Sequence, residues 1–118
     1  MYEHGIDFLD ISSGGNSIHS QIQLGPAYQA RFSEDVKRSL PEGHGLLVGA
    51  VGSITNGKIA QGVIDKGIDA VFVGRLFLKN PGLVWAYADE LGVAIHQGRQ
   101  LEWGFIGRFI RVFGEVKY

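Results

Sequence analysis

The stretch "LLVGAVGSITNGKIAQGVIDKGIDAVFVG", residues 46–74, predicts two parallel strands joined by one helix. Its ends, "LLVGAVG" (46–52) and "DAVFVG" (69–74), are apolar runs that do not alternate with polar residues. Such runs are typical of parallel strands that are buried on both faces. The residues between them suffice for one short helix and two tight loops, so the sequence predicts a compact βαβ unit.

Helical patterns separate and follow the predicted strands. The helix inside this unit is expected to begin at the N-cap Thr55 and to end at Gly67. The helix after the unit is expected to begin at Asn80-Pro81 and to end at Gly92. The apolar positions expected to face the sheet are Phe32, Val36 and Leu40 in an earlier helix, Ile59, Val63 and Ile64 in the next, and Leu83, Val84, Tyr87, Ala88 and Leu91 in the last.

A third apolar run, "IDFLDIS" (6–12), precedes these elements, so the predicted order is β-α-β-α-β-α. This alternation predicts an α/β fold with parallel strands. The short link between the last two strands favours a (β/α) barrel over a doubly wound sheet, but a full barrel needs eight units and roughly 250 residues. We therefore expect three β/α units that form part of a barrel in residues 1–92, and a C-terminal tail in residues 93–118.

The composition excludes several classes of function. The chain has 118 residues, of which 45% are hydrophobic and 19% charged, and its net charge of −1 provides no basic field for nucleic acid or an anionic membrane. It has no cysteine, and its four histidines show no metal-ligand spacing, so we expect no disulfide and no metal site. No apolar run approaches the ~20 residues of a membrane span. We expect a cytoplasmic protein that binds neither nucleic acid nor membranes.

Two neighbouring strands end on glycine, and these endings carry the functional prediction. Gly52-Ser53 follows one strand and Gly74-Arg75 follows the next, in each case ahead of a helix. Glycine lets backbone N–H groups approach a phosphate, a helix N-terminus adds a favourable dipole, and Arg75 adds charged donors. The alternative is that the glycines only form turns and that Arg75 is solvated. Spacing alone leaves both interpretations open.

Four segments carry a family resemblance across nearly the whole chain. They are "DFLDISSGG" (7–15), "YQARFSEDVKRSL" (28–40), the block from "VGAVGSITNG" to "WAYADELG" (48–92), and "RQLEWGF" (99–105). Together they resemble the C-terminal part of the Old Yellow Enzyme family, in its YqjM-like or xenobiotic reductase branch of FMN-dependent NADPH dehydrogenases. The resemblance implies that the three strands correspond to strands six, seven and eight of a TIM (β/α)8 barrel.

The same resemblance implies a cofactor site. The FMN phosphate would lie against the backbone of Val51, Gly52, Ser53 and Gly74, with Arg75 as its counter-charge. It also implies hydride transfer from NADPH through FMN to an activated alkene, usually an α,β-unsaturated carbonyl compound. The residues that orient and protonate such a substrate lie earlier in the family's barrel, so no catalytic residue is assigned to this chain. We expect a part of an oxidoreductase that is inactive alone.

Two alternatives to this function stay open. One is a non-catalytic remnant without turnover of its own. The other is part of a different FMN barrel oxidoreductase, such as a dihydroorotate-dehydrogenase-like enzyme, although "GRLFLKNP" (74–81) and "YQARFS" (28–33) favour the Old Yellow Enzyme resemblance. Three strands alone would leave two sheet edges and one apolar face open, which invites aggregation, so we expect the chain to be part of a longer protein.

Other polar positions have mainly structural interpretations. Asp10 is expected to point inward and to accept backbone hydrogen bonds rather than to act as a catalytic carboxylate. The loop 12–14 is expected either to border the flavin or to be purely structural, and Lys79 is expected to be solvated. In "QLEWGF" (100–105), relatives often carry an arginine that reaches a neighbouring subunit, and Trp103 stands at that position here. The resemblance therefore implies a homo-oligomer with a contact near Trp103.

Overall fold

The computed structural model describes residues 4–14, 16–19, 21–101 and 104. Its strands are β1 (Phe8–Ile11), β2 (Leu47–Val51) and β3 (Ala70–Phe72), and its helices are α1 (Ala30–Ser39), α2 (Gly57–Ile64), α3 (Arg75–Lys79) and α4 (Leu83–Leu91). None of these helices is long and apolar enough to cross a membrane. The strands are parallel and lie in the order β1-β2-β3. The predicted α/β order with a parallel sheet is confirmed, while the division between residues 92 and 93 stays a prediction.

The register brings the carboxyl ends of the three strands to nearly one level. Ile11 of β1 lies beside Ala50 of β2, and Val51 of β2 lies beside Phe72 of β3. Parallel neighbours are spaced about 4.8 Å apart, so the loops that leave the three strands start side by side at one edge of the sheet. We call this edge the carboxyl edge.

One face of the sheet is covered by helices and holds the core. Its buried apolar cluster consists of Ala30, Leu46, Val48, Ala50, Val63 and Ile68. Successive right-handed crossovers in the order β1-β2-β3 place α1 and α2 on the same side, so both helices contribute to this cluster. Ser33 of α1 is also buried here, and its hydroxyl donates a 2.9 Å hydrogen bond to the carbonyl oxygen of Gly49.

The opposite face of the sheet is open. Phe8, Leu47 and Phe72 point to this face and are 37%, 48% and 41% exposed. The two phenylalanine rings meet edge to face at 5.7 Å over Gly49, whose missing side chain leaves room for both. The crossover helices all cover the other side, so this is the face that three strands alone were expected to leave open. Asp10 pairs with Gly49 and lies on the same open face, where it is exposed, and the backbone hydrogen bonds expected for its carboxylate are not formed with any described residue.

The structure shortens the predicted strands and moves the start of α2 by one residue. Asn56, and not Thr55, is the N-cap, and its Oδ1 accepts a 2.8 Å hydrogen bond from the N–H of Ile59. Both residue types can cap a helix, and the course of the preceding loop decides which of them reaches the amide. Ile64 and Val84 were expected to face the sheet, but they are 36% and 56% exposed.

The residues after β3 form an additional short helix, α3, that the sequence did not predict. The predicted start at Asn80 instead forms a turn, in which Asn80 Oδ1 accepts a hydrogen bond from the N–H of Gly82, and α4 begins at Leu83. The predicted end of α4 is confirmed, since Gly92 adopts the left-handed conformation that is common after a helix.

Asp69, at the amino end of β3, connects three elements. Its Oδ2 accepts a 2.7 Å hydrogen bond from the N–H of Val48 in β2 and forms an ion pair with Lys37 of α1. Burial acts to raise the pKa of the Asp69 carboxyl, but the hydrogen bonds from Lys37 and Val48 outweigh it, so this pKa lies below its ordinary value. The ionised carboxylate therefore stabilises the fold more than the protonated form does.

We expect Asp69→Asn to lower the free energy of unfolding by about 1 kcal/mol near pH 7, because the ion pair with Lys37 is lost. The folded pKa is lowered, so this contribution is complete above the unfolded pKa, near 4, and is lost as the pH falls through the folded pKa. Urea unfolding of both proteins should therefore give stabilities that converge on acidification. A stability difference that is independent of pH would contradict this role of Asp69.

Candidate functional site

The residues predicted to bind phosphate lie together at the carboxyl edge. Val51 is the last residue of β2, and Gly52 and Ser53 open the loop to α2. The register of β2 with β3 brings Gly74 to the same edge, and Arg75 begins α3 directly after it. The structure thus brings all five residues to one place, while their contact with phosphate stays a prediction.

The loop between β2 and α2 has an unusual backbone. Gly52 has a φ of +108°, which glycine adopts far more readily than other residues, and Ser53 follows with a φ of +53°. Among the described residues, positive φ occurs outside glycine only at Ser53 and Ala27. These two are joined directly, since the N–H of Ala27 donates a 3.2 Å hydrogen bond to the carbonyl oxygen of Ser53. In proteins, residues whose strained backbone conformation is held in place by the surrounding structure occur most often at binding sites.

Tyr87 of α4 anchors the same loop from the helix side. Its hydroxyl donates a 2.9 Å hydrogen bond to the carbonyl oxygen of Ile54, whose side chain is buried. Burial, followed by the negative charge of Glu90, raises the pKa of the Tyr87 hydroxyl above its ordinary value. The hydroxyl therefore stays protonated at neutral pH and keeps donating to the loop.

The N-terminus of α2 is already occupied by side chains of the chain itself. Glu90 Oε2 accepts a 2.6 Å hydrogen bond from the N–H of Gly57, and Asn56 Oδ1 accepts one from the N–H of Ile59. A carboxylate at this position already uses the positive end of the helix dipole. The dipole contribution of α2 to phosphate binding, expected from the sequence, is thereby reduced, so the Gly52-Ser53 turn and Arg75 are left as the main candidate phosphate contacts.

Gly74 and Arg75 present an open and cationic position. No described atom lies within 4 Å of the point that a Cβ on Gly74 would occupy, so the backbone there is accessible to a group from outside the chain. Arg75 is exposed, and it forms no ion pair with any residue that the structure describes. A guanidinium in this state can donate two parallel hydrogen bonds to an oxyanion.

Gln29 is the residue at this edge that sequence reasoning missed. It is only 6% exposed, and it is the N-cap residue of α1, but its side chain forms no capping hydrogen bond. Its Oε1 accepts a hydrogen bond from the N–H of Ser13, and its Nε2 donates a 2.9 Å hydrogen bond to the hydroxyl of Tyr28. Gln29 belongs to the segment "YQARFS" (28–33), which contributed to the family resemblance only. A polar residue just before a helix is normally interpreted as a solvated cap, so nothing else in the sequence singled out Gln29.

A cavity of about 130 Å³ lies beside the loop that follows β1. Its lining includes Ser13, Gly14, Tyr28, Arg31 and Phe32, so part of the predicted loop 12–14 borders an open space. The guanidinium of Arg31 lies 4.7 Å from the centre of the Phe32 ring, which holds this cation at the rim. The lining combines polar groups with aromatic rings.

Two further sequence predictions concern residues away from this edge. Lys79, in the last turn of α3, is exposed, as expected for a solvated lysine. Trp103 lies outside the described residues, so the subunit contact near it stays a prediction.

Comparison with curated proteins finds relatives over most of the chain. A protein of Gibberella zeae named NADH:flavin oxidoreductase is 46% identical over 110 residues, which cover 90% of this chain and 26% of that protein. Proteins named NADPH dehydrogenase are 42% identical in Geobacillus thermodenitrificans and 35% identical in Bacillus subtilis, in both cases over 106 residues that cover 89% of this chain and 30% of the relative. No family model matches the sequence.

The chain spans less than a third of the length of these relatives. Identities of 35% to 46% over about nine tenths of the chain nevertheless indicate common ancestry and a shared local fold. Over part of their length, the chain is therefore similar to proteins named NADPH dehydrogenase and NADH:flavin oxidoreductase, in agreement with the resemblance of its sequence motifs.

Proposed function

We propose that this chain is the FMN-phosphate-binding part of an FMN-dependent NADPH dehydrogenase of the ene-reductase type. The observation that carries the proposal is the pair of adjacent strand ends at the carboxyl edge. There the strained Gly52-Ser53 turn lies beside Gly74 and the exposed Arg75, which has no ion-pair partner among the described residues. The relatives' names, NADH:flavin oxidoreductase and NADPH dehydrogenase, support a flavin and a nicotinamide cofactor.

The residues present fit a phosphate group. Space at Gly74 allows close approach to the backbone, and Arg75 supplies charge and paired donors. Val51, Gly52 and Ser53 would hold the phosphate from the neighbouring strand end. The chemistry that FMN supplies when bound is hydride transfer from NADPH to an activated alkene, such as an α,β-unsaturated carbonyl compound. This chain would bind and orient the cofactor through its phosphate, and we assign none of its residues to proton transfer.

The barrel architecture belongs to the same proposal. α1 and α2 share one face of the sheet, as successive crossover helices do in a (β/α) barrel. One half of a doubly wound sheet has the same arrangement, so the choice of the barrel rests on the short link between β2 and β3 and on the family resemblance. The open face with Phe8 and Phe72 would then be the barrel interior, and the outer edges of β1 and β3 would pair with further strands. We propose that the three strands are strands six to eight of such a barrel, in a longer cytoplasmic protein that supplies the substrate-binding residues elsewhere.

Titration with two flavins tests the proposal, because FMN carries a phosphate that riboflavin lacks. The parent chain is expected to bind FMN more tightly than riboflavin. We expect Arg75→Ala to weaken FMN binding about tenfold or more, and to leave riboflavin binding nearly unchanged, since only the phosphate contact is lost. Quenching of flavin fluorescence measures both dissociation constants.

Lys79→Ala is the matched control for this experiment. Lys79 is an exposed cation on the same short helix, so its removal changes the net charge by the same amount about one turn away. We expect it to change FMN affinity less than about twofold, because Lys79 would make no hydrogen bond to the phosphate and an exposed charge acting only through water contributes little. Equal losses in the two variants would argue against a site at Arg75. Failure of the parent chain to bind either flavin would support the non-catalytic remnant instead.

A further inference from the structure

The side chain of Gln29 lies between two of the loops at the carboxyl edge. Its Oε1 accepts a hydrogen bond from the N–H of Ser13, which belongs to the loop after β1. A Cβ added to Gly52, in the loop after β2, would lie 2.8 Å from Gln29 Nε2 and 3.1 Å from its Cγ. The amide therefore packs directly against the backbone of Gly52 while it hydrogen-bonds Ser13.

The residues next to Gln29 reinforce this connection. The hydroxyl of Tyr28 accepts the 2.9 Å hydrogen bond from Gln29 Nε2, and Tyr28 Cε1 would lie 3.1 Å from the same added Cβ. Ala27 bonds the carbonyl oxygen of Ser53 and has positive φ itself. Three consecutive residues, 27–29, thus contact the Gly52-Ser53 turn, and Gln29 alone among them also reaches Ser13.

We propose that Gln29 is a positioning residue that sets the conformation of the Gly52-Ser53 turn, and thereby its affinity for a phosphate monoester, by joining that turn to the loop at Ser13. The inference rests on the proposed function, because it concerns the same phosphate site. Gln29 is only 6% exposed, so it acts through the backbone beside it rather than through contact with the ligand.

The chemistry of the side chain explains why glutamine stands here. One atom must accept from the N–H of Ser13 and another must donate to the hydroxyl of Tyr28, and a neutral amide does both in a buried place. Glutamate keeps an acceptor but loses the donor and buries a charge, whereas methionine has a similar length and provides neither strong group. A longer or shorter side chain would no longer fill the space against Gly52.

The test compares the parent chain with Gln29→Met and Gln29→Glu, using FMN and riboflavin as the two probes. The informative quantity is the ratio of the two affinities, because a general loosening of the fold weakens both flavins alike, whereas a displaced turn weakens only the phosphate contact. We expect Gln29→Met to reduce the preference for FMN about tenfold, and Gln29→Glu to reduce it as well. Gln61→Met is the matched control, since Gln61 is exposed on α2 and bonds only Asp65 among the described residues.

A second measurement needs no ligand. Amide hydrogen exchange at Ser13, which donates to Gln29, and at Ala27, which donates to the carbonyl oxygen of Ser53, should speed up in the Gln29 variants and stay at the parent rate in Gln61→Met. If Gln29→Met does not fold, Tyr28→Phe takes its place, because it removes one hydrogen bond of the amide and leaves Gln29 itself intact. We expect that variant to show a smaller change in the same direction.

The outcomes separate the inference from the function on which it rests. A parent chain without preference for FMN over riboflavin overturns both. A parent chain with that preference, together with folded Gln29 variants that retain it in full, overturns the positioning role and leaves the proposed function standing. An equal loss of affinity for both flavins shows a structural role only, and it also overturns the inference.

Discussion

Gly57→Ala is expected to lower the free energy of unfolding by about 2–3 kcal/mol, although it adds a single methyl group. A Cβ at Gly57 would lie 2.7 Å from the carbonyl oxygen of Tyr87 and 3.1 Å from its Cα. Both are backbone atoms of α4, so no side-chain rotation can relieve the contact and the two helices must move apart. Urea unfolding of the variant and the parent chain measures the effect.

Moving the two helices apart would also disturb the candidate site. Tyr87 holds the loop after β2 through Ile54, and Glu90 holds the first amide of α2. Displacement of α4 therefore withdraws two supports of the loop at once. We expect the FMN affinity of Gly57→Ala to fall together with its stability.

Gly62→Ala is the control within the same helix. No described atom lies within 4 Å of the added Cβ, and the backbone there is helical. Alanine restricts the unfolded chain and fits the helix, so this variant should gain about 0.5–1 kcal/mol of stability. The two substitutions are chemically identical and are expected to have opposite signs. Equal stabilities of the two variants would contradict the close packing of α2 against α4.

Gly52→Ala is expected to have a similar effect, of about 2–3 kcal/mol, for two separate reasons. Its φ of +108° disfavours any side chain, and the new Cβ would crowd the amide of Gln29. Because that amide is buried and holds Ser13, it has little freedom to move aside. The variant should therefore also lose its preference for FMN over riboflavin.

Gly67→Ala separates the cost of the positive φ from the cost of crowding against Gln29. Gly67 also has positive φ, +88°, but no described atom lies within 4 Å of its added Cβ. It should lose only the conformational part, about 1–2 kcal/mol, and keep its FMN affinity. The excess loss at Gly52 measures the crowding against Gln29. If Gly52→Ala were no more destabilising than Gly67→Ala, the packing of Gln29 against the turn would be refuted.

The sequence predicted those features that depend on neighbouring residues. Apolar runs without alternation located the three strands, and the stripes of apolar residues located α1, α2 and α4. Gly92 marked the end of α4, because the left-handed conformation after a helix favours glycine. The candidate site followed from the same local chemistry, since strands of a parallel sheet that end in Gly52 and Gly74 must end at one edge.

Predictions from the sequence were wrong where the outcome depended on tertiary structure. Thr55 and Asn56 are both good caps, and only the course of the loop from Ser53 shows that Asn56 reaches the amide of Ile59. Ile64 and Val84 belong to the apolar stripes of their helices and were expected to face the sheet, yet they are 36% and 56% exposed. An apolar pattern predicts which side chains favour burial, but it does not predict which element buries them.

By itself, then, the sequence determined the α/β order, the parallel strands and the glycine-ended edge, because periodicity and turn chemistry act over a few residues. Only the tertiary structure decided that Asn56 rather than Thr55 caps α2, and that Glu90 occupies the N-terminus of α2. It also revealed Gln29, whose partners Ser13 and Gly52 lie on opposite sides of it along the chain. Segments so distant along the chain bury and hydrogen-bond one another only after the strands have paired in the folded protein. No local sequence pattern therefore predicts these contacts.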